Sequence, residues 1–225
     1  MTADYPIIKP TTPGLYAPKS DAPLVGLLGK KRSGKNTAAS RLADHGYAVA
    51  AFADPLRDMA LAIDPVVGVH VEDARGGHHL VHYVTYSEAL AEHGYERAKE
   101  EYPEFRRFLQ RLGTEGVRDT LGAKHGLREI LGDDVWIVLA EHRIQKAAAE
   151  GEALVFTDVR FPNEAELIER KGGTTVRVVR PDLDAAEDTH SSETALDDFV
   201  DNRRIVNDGT LSDLSTEVDE LVSSL

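Results

Sequence analysis

An apolar run that stops at a glycine, meets a second glycine five positions on and continues directly into a lysine leaves the backbone few options. The stretch is LVGLLGKKRSGKNTAASRLADHG, residues 24 to 46. Leu24–Leu28 is short, apolar and bounded by a turn signal, which predicts a buried strand. Behind Lys35, the residues Ala38, Ala39, Leu42 and Ala43 recur at helical spacing and predict a helix packed by a small face. Between them Gly29-Lys-Lys-Arg-Ser-Gly34-Lys35 fits G-x-x-x-x-G-K in the strand, turn, helix setting that this motif requires. Glycines let successive N–H groups curl inward, and a helix N-terminus adds positive potential. The turn is built for an anion, and the expected anion is the phosphate tail of a nucleotide. Gly29, Lys31, Arg32, Ser33, Gly34, Lys35, Asn36 and Thr37 would surround it, with Lys35 bridging the outer phosphates.

One position departs from the motif. Asn36 stands after the lysine where Ser or Thr usually serves Mg²⁺, with Thr37 one place further on. Asn36 is expected near the metal, and Thr37 is its substitute. Lys31 and Arg32 add charge around a moving phosphoryl group. A second strand, ALVFTDVRF, ends in Asp158 followed by Arg160. A carboxylate at a strand tip suits the magnesium shell, and an arginine two residues on suits the γ-phosphoryl. Asp158 also fits a helix cap ahead of Pro162 and Asn163.

Composition narrows the classes. The 225 residues suffice for one α/β domain with an inserted helical lobe. A formal charge of −13 argues against wrapping a nucleic-acid polymer. The absence of cysteine excludes disulfides, thiolate zinc sites and cysteine nucleophiles, and it suits a cytoplasmic location. No apolar run approaches the ~20 residues of a membrane span. Residues 1–23 hold five prolines without the pattern of a secretory signal and are expected as an extended arm.

Strand signals at Leu24–Leu28, Tyr47–Phe52, Ala153–Thr157, Thr174–Val179 and Arg204–Val206, alternating with helices, predict a five-stranded, mostly parallel sheet flanked by helices. Leu211 to Leu225 is expected as a closing helix. From Pro55 to Gly151 no strand is expected, only helices at Asp54–Ile63, Ser87–Lys99, Phe105–Leu121 and Val135–Ala149. Residues 64–150 then form a helical insertion within a single domain from residue 24 to 225. Asp64–Val84 is the expected mobile loop, and His78, His79 and His82 within it read as solvated rather than as a metal site.

These pieces resemble the phage-encoded deoxynucleoside monophosphate kinases, a branch of the P-loop nucleoside monophosphate kinase superfamily. The likeness rests on GKKRSGKNT, FADPLR, RFLQRLGTEGVR, DVRFPNEAELI and HSSETALDDFVDNRRIVNDGTLSDL in that order, and covers the chain from about Leu24 to Leu225. It implies a P-loop kinase fold with an acceptor-binding lobe and a lid. The implied reaction is transfer of the γ-phosphoryl of ATP to a deoxynucleoside 5′-monophosphate, with Mg²⁺, in host cytoplasm if the chain is phage-encoded. Phe52, Asp54 and Arg57 would then lie at the carboxyl end of the sheet beside the acceptor. Asp54 and Pro55 fit a simple helix start equally well. Arg106, Gln110, Thr114, Glu115 and Arg118 would bind the acceptor, arginine gripping its phosphate. Surface pairing is the rival reading for Arg106 and Arg118, and is the expectation for Arg107 and Arg111, with Glu100, Glu101 or Glu104. Trp136 would wall the base or simply pack. Asn207 in VNDGT would meet adenine, or serve the turn. His190 and Glu193 match the family pattern without a role that physics assigns.

No covalent intermediate and no general base are required, because the acceptor phosphate is already anionic; Lys35, Arg160, Arg32 and Mg²⁺ supply charge. Two rivals stay open. Phosphomevalonate kinases show a similar basic loop, and a regulatory module could bind ATP without an acceptor. Base preference, sugar discrimination and a homodimer are left undecided by the sequence.

Overall fold

The computed structural model describes residues 22–74, 78–131, 134–181 and 194–225. They fall into two compact units. The first is the described part of Met1–Phe52 with Ile137–Leu225, and the second is Ala53–Trp136. No helix among the described residues is long and apolar enough to cross a membrane.

The first unit is built on five strands, β1 (Leu24–Leu28), β2 (Ala48–Ala50), β5 (Leu154–Phe156), β6 (Thr174–Val179) and β7 (Arg203–Val206), in the order β2-β5-β1-β6-β7. Every neighbouring pair is parallel. All five residues of β1 are buried, as befits the middle strand of a sheet covered on both faces. Successive side chains take opposite faces. Leu24 and Leu28 pack with Phe52, Phe156 and Ile168, under α6 (Val135–Glu150) and α7 (Pro162–Arg170). Val25 and Leu27 pack with Leu42, Val176, Leu214 and Val218, under α1 (Lys35–Asp44) and the last helix, α8 (Leu211–Ser223). Ala38, Ala39 and Leu42 form the small buried face expected of α1, whereas Ala43 is exposed. Arg41 Nε donates to Asp219 Oδ1 at 2.7 Å and ties α1 to α8.

Within β6 (TTVRVV), Arg177 is the charged member, set between Val176 and Val178. Its guanidinium donates to Asp201 Oδ1 (2.7 Å) and to the carbonyls of Leu196 (2.9 Å) and Phe199 (2.8 Å), anchoring the returning chain before β7. Burial resists charge on Asp201, but hydrogen bonds from Arg177 and Arg204 outweigh it and hold the carboxyl below its ordinary range.

The second unit corrects the expectation of a strandless, partly mobile segment. β3 (Val66–Ala74) and β4 (His78–Thr85) form an antiparallel hairpin, with Val69 opposite Tyr83 and Val71 opposite Val81. Alternation was present in V-x-V-x-V, but Val69 and Val71 are 53% and 61% exposed, so these residues form no apolar run that signals a core. His79 and His82 lie on this strand, on opposite faces, and no group of three metal-ligating side chains occurs among the described residues. Around the hairpin stand α2 (Asp54–Ile63), α3 (Tyr86–Glu101), α4 (Pro103–Arg111), a π-helix (Leu112–Lys124) and α5 (Leu127–Leu131). Their core is Ala60, Val67, Val84, Tyr86, Phe105 and Leu109.

The single helix expected over Phe105–Leu121 is thus two helices of different gauge. Gly113, Gly116 and Gly122 weaken the α preference of the second part. His125 N–H reaches the Thr120 carbonyl five residues back at 3.0 Å, the longer backbone loop of a wider turn, and the Thr120 hydroxyl donates to the Glu115 carbonyl at 2.7 Å.

Candidate active site

The phosphate loop follows directly from the end of β1. Gly29 has φ 131°, and a Cβ there would fall on the Val178 carbonyl oxygen, so only glycine fits. Gly34 has φ 111°, and its Cβ would stand 2.6 Å from Asn207 Nδ2. Arg32, at φ 66°, holds the left-handed conformation without that freedom. Ser33 N–H closes the turn on the Lys30 carbonyl at 3.2 Å. Lys35 Nζ curls back over it, donating to the carbonyls of Gly29 (2.5 Å) and Lys30 (2.8 Å).

Two features show that this loop suits an anion. Helices α3 and α8 begin with capping boxes from Thr85 with Glu88 and Thr210 with Asp213, while α1 begins without a side-chain cap or an acidic residue in its first turn. Ser33 is 2% exposed and its hydroxyl has no hydrogen-bond partner among the described residues. An unmet buried hydroxyl costs about 1–3 kcal/mol. A phosphate oxygen in the loop would accept from it while the uncapped end of α1 supplies N–H donors.

Residues from the neighbouring strands frame the loop. Asn207, just past β7, donates its backbone N–H to the Val179 carbonyl (2.7 Å) and its side-chain amide to the Ser33 carbonyl (2.8 Å). This bolts the loop to the sheet. Asp158, past the end of β5, accepts the Phe52 N–H at 2.7 Å and so joins the ends of β5 and β2. Asn36 and Thr37 are exposed on the first turn of α1. One carboxylate with neutral oxygens matches Mg²⁺, which keeps several waters and takes the rest of its shell from phosphates.

Arg160 is exposed, and its backbone is fixed by Glu164, whose Oε2 accepts from the N–H groups of Arg160 (2.7 Å) and Phe161 (3.1 Å). Arg160 lines a cleft of about 260 Å³ together with Gly29, Lys30, Arg177, Asp197 and Arg204. Two of its cations, Arg177 and Arg204, are both bonded to the Asp201 carboxylate. Sequence reasoning left out Arg177, Arg204 and Glu164. The signal for Arg177 was an arginine flanked by valines in the strand TTVRVV, and the signal for Glu164 was its place three residues into a helix opened by proline.

The other candidates divide between core and surface. Phe52 is 4% exposed, with its ring 4.7 Å from Phe156, and Trp136 is buried in the second unit. Asp54 Oδ1 accepts from Arg57 Nη1 at 3.0 Å, and the Arg57 guanidinium lies over the Tyr95 ring. Along α4 and the π-helix, Arg107 pairs with Glu104 (3.0 Å) and Arg111 with Glu115 (3.1 Å). Glu115 is therefore engaged by Arg111. Arg106 and Arg118 are exposed and make no ion pair among the described residues, with Gln110 and Thr114 exposed between them. Steps of four overshoot an α turn of 3.6 residues and fall short of a π turn, so drift in one helix is reversed in the next and these four stay in one strip. His190 and Glu193 lie outside the described residues.

Comparison with known proteins adds an independent line. The sequence profile of the deoxynucleotide monophosphate kinase family matches residues 68–218. A protein of Acanthamoeba polyphaga mimivirus, provisionally named a deoxynucleotide monophosphate kinase, is 30% identical over 181 residues, 77% of this chain and 81% of its own. An uncharacterized protein of Ictalurid herpesvirus 1 (strain Auburn) is 33% identical over 114 residues, 50% of this chain and 45% of its own. A crystal structure from Thermus thermophilus covers 91% of this chain and 98% of its own at 18% identity and a TM-score of 0.39, too distant to argue from.

Proposed function

The chain belongs to the deoxynucleotide monophosphate kinase family, and from that premise we propose that it transfers the γ-phosphoryl of ATP to deoxynucleoside 5′-monophosphates, yielding the diphosphate and ADP. A nucleotide kinase needs one site for a triphosphate tail and another for a monophosphate. The observation that carries the reading is the buried, unmet Ser33 hydroxyl inside a loop whose helix end is uncapped.

In this reading Lys35 releases the Gly29 and Lys30 carbonyls and moves onto the outer phosphates, while the loop N–H groups and Ser33 hold the rest of the tail. Asn207 keeps the loop in register by its bond to Ser33, in addition to or in place of an adenine contact. Arg160 and Arg32 stabilise negative charge on the group in flight. Asn36, with Thr37 as the alternative, and Asp158 would hold Mg²⁺, which when bound neutralises phosphate charge. Arg106 and Arg118 grip the acceptor phosphate with charge-assisted hydrogen bonds, and Gln110 and Thr114 contact its base or sugar. Asp54 and Arg57 contribute from the start of α2. The partners are small nucleotides.

The test is ADP release with ATP and Mg²⁺ against the four common deoxynucleoside monophosphates, with phosphomevalonate and no acceptor as controls. Saturable release with at least one nucleotide and little without it is expected. Release that is independent of any acceptor, or specific to phosphomevalonate, would overturn the proposal.

A further inference from the structure

We propose that the outward face of the β3–β4 hairpin is the surface through which two copies of this chain form a two-fold dimer, whatever reaction the chain performs. Side chains alternate between the faces of a strand, and cross-strand partners share a face. One face of the hairpin turns to its own helices. Val84 lies in the core of the second unit, a Cβ at Gly68 would run into the Tyr102 ring, and His70 Nε2 shares a hydrogen bond with the Tyr102 hydroxyl at 2.9 Å. The other face is apolar and open. It carries Val69 opposite Tyr83 and Val71 opposite Val81, and these four are 45% to 61% exposed. The register shift between Val66 and Gly68 enlarges it: the extra residue lets Val67 enter the core at 3% exposure and leaves Val66 exposed at 54%.

Size and arrangement point to a second copy as the occupant. The five side chains present on the order of 450 Å² of apolar surface, the scale of a functional patch and more than half of the ~800 Å² that each partner gives a standard interface. The quartet also fits itself. A two-fold axis in the plane of the face and through its centre, whether along or across the strands, sets each Tyr83 on a valine of the other copy and never on its Tyr83, so large meets small in both halves. The border does not recruit a charged partner. Val66 adjoins a groove of about 470 Å³ whose Arg107 and Arg111 are paired with Glu104 and Glu115 at 3.0 and 3.1 Å, which leaves no single-signed field for an acidic surface or an anionic membrane. What opposes the dimer is the formal charge of −13 on each copy, so association should tighten as salt screens it.

The experiment is sedimentation velocity on the full chain at about 50 μM, in about 0.02 M and about 0.5 M NaCl. The wild-type chain is expected to sediment as a dimer at high salt, with a dissociation constant at least about tenfold lower there than at low salt. Val71→Lys is expected to weaken the dimer at least about a hundredfold even though it lowers the net negative charge, because the two-fold buries an unpaired ammonium twice. Leu80, 61% exposed and opposite Glu72, takes the other face of the hairpin, so Leu80→Lys should stay within about threefold of the wild type. The chain has no cysteine, so a short bis-maleimide should join two copies through Val71→Cys and not through Leu80→Cys; this carries the test if the lysine variant does not fold. A wild-type chain that is monomeric at both salts, a dimer that loosens with salt, or equal effects of Val71→Lys and Leu80→Lys would each overturn the proposal.

Discussion

In the proposed function, the phosphate loop and the strip along α4 and the π-helix would handle anions in opposite ways. In the loop, backbone shape does the work. Gly29, Arg32 and Gly34 hold left-handed or otherwise glycine-like angles, the side chains of Lys35 and Asn207 are spent on loop carbonyls, and one buried hydroxyl is left over. On the strip, side chains stand exposed in a row, and Arg107 and Arg111 have carboxylate partners whereas Arg106 and Arg118 make no ion pair among the described residues; in the proposed function that difference would decide which arginines meet the acceptor. The comparison teaches that a backbone cradle must be specified by conformation, whereas a side-chain reader needs only spacing and the absence of an internal partner.

The largest expected effect falls on the loop. Lys35→Ala should reduce turnover about 10²–10³-fold, the scale for losing one transition-state donor, with a thermal melt near that of the wild type. Near-normal ADP release from the folded variant would break the contrast at its stronger end. Next comes the frame of the cleft. Asp201→Asn leaves Arg177 without its carboxylate at a site where the two side chains are 14% and 8% exposed, and should cost about 2–3 kcal/mol at neutral pH. Because the Asp201 carboxyl is held below its ordinary 3.8, its contribution is complete above about pH 4 and drains as the pH falls through the lower folded value. The stability gap between wild type and variant should close accordingly in acid melts.

The strip gives a smaller and more selective effect. Arg106→Ala should raise the acceptor KM about tenfold, as one charge-assisted hydrogen bond implies, while Arg107→Ala, whose partner is Glu104, should change it less than twofold. Equal effects from the two would erase the distinction between paired and unpaired arginines. Smallest is Arg32→Gly. It should stabilise the fold by about 1 kcal/mol by relieving the left-handed backbone, at some cost in turnover because a cation is lost, and a melt beside an ADP assay reads both.

The same contrast explains what the sequence disclosed. Gly29, Gly34 and Lys35 announced the loop because glycine is nearly the only residue that tolerates those angles. The sheet was readable because β1 and β5 are fully buried apolar runs and the three valines of β6 lie beside them in the sequence pattern. The hairpin was not, because Val69, Val71, Val81 and Tyr83 face outward and their alternation competes with histidines and a glycine pair. The π-helix was hidden too, since spacing of four satisfies an α pattern and only hydrogen bonds such as His125 to Thr120 reveal the wider turn. At the site, the engagement of Asn207 with Ser33 and the pairing of Arg111 with Glu115 are both choices among geometrically open alternatives. Residue type alone does not decide them.

The most direct measurement is a calorimetric titration of the wild-type chain and its Lys35→Ala and Arg106→Ala variants, first with a non-hydrolysable ATP analogue in magnesium buffer and then with a deoxynucleoside monophosphate. The account expects the analogue to bind wild type and Arg106→Ala alike and to bind Lys35→Ala at least tenfold more weakly, with the monophosphate weakened by Arg106→Ala alone. Absence of analogue binding to the folded wild-type chain, or an equal loss in both variants, would contradict it.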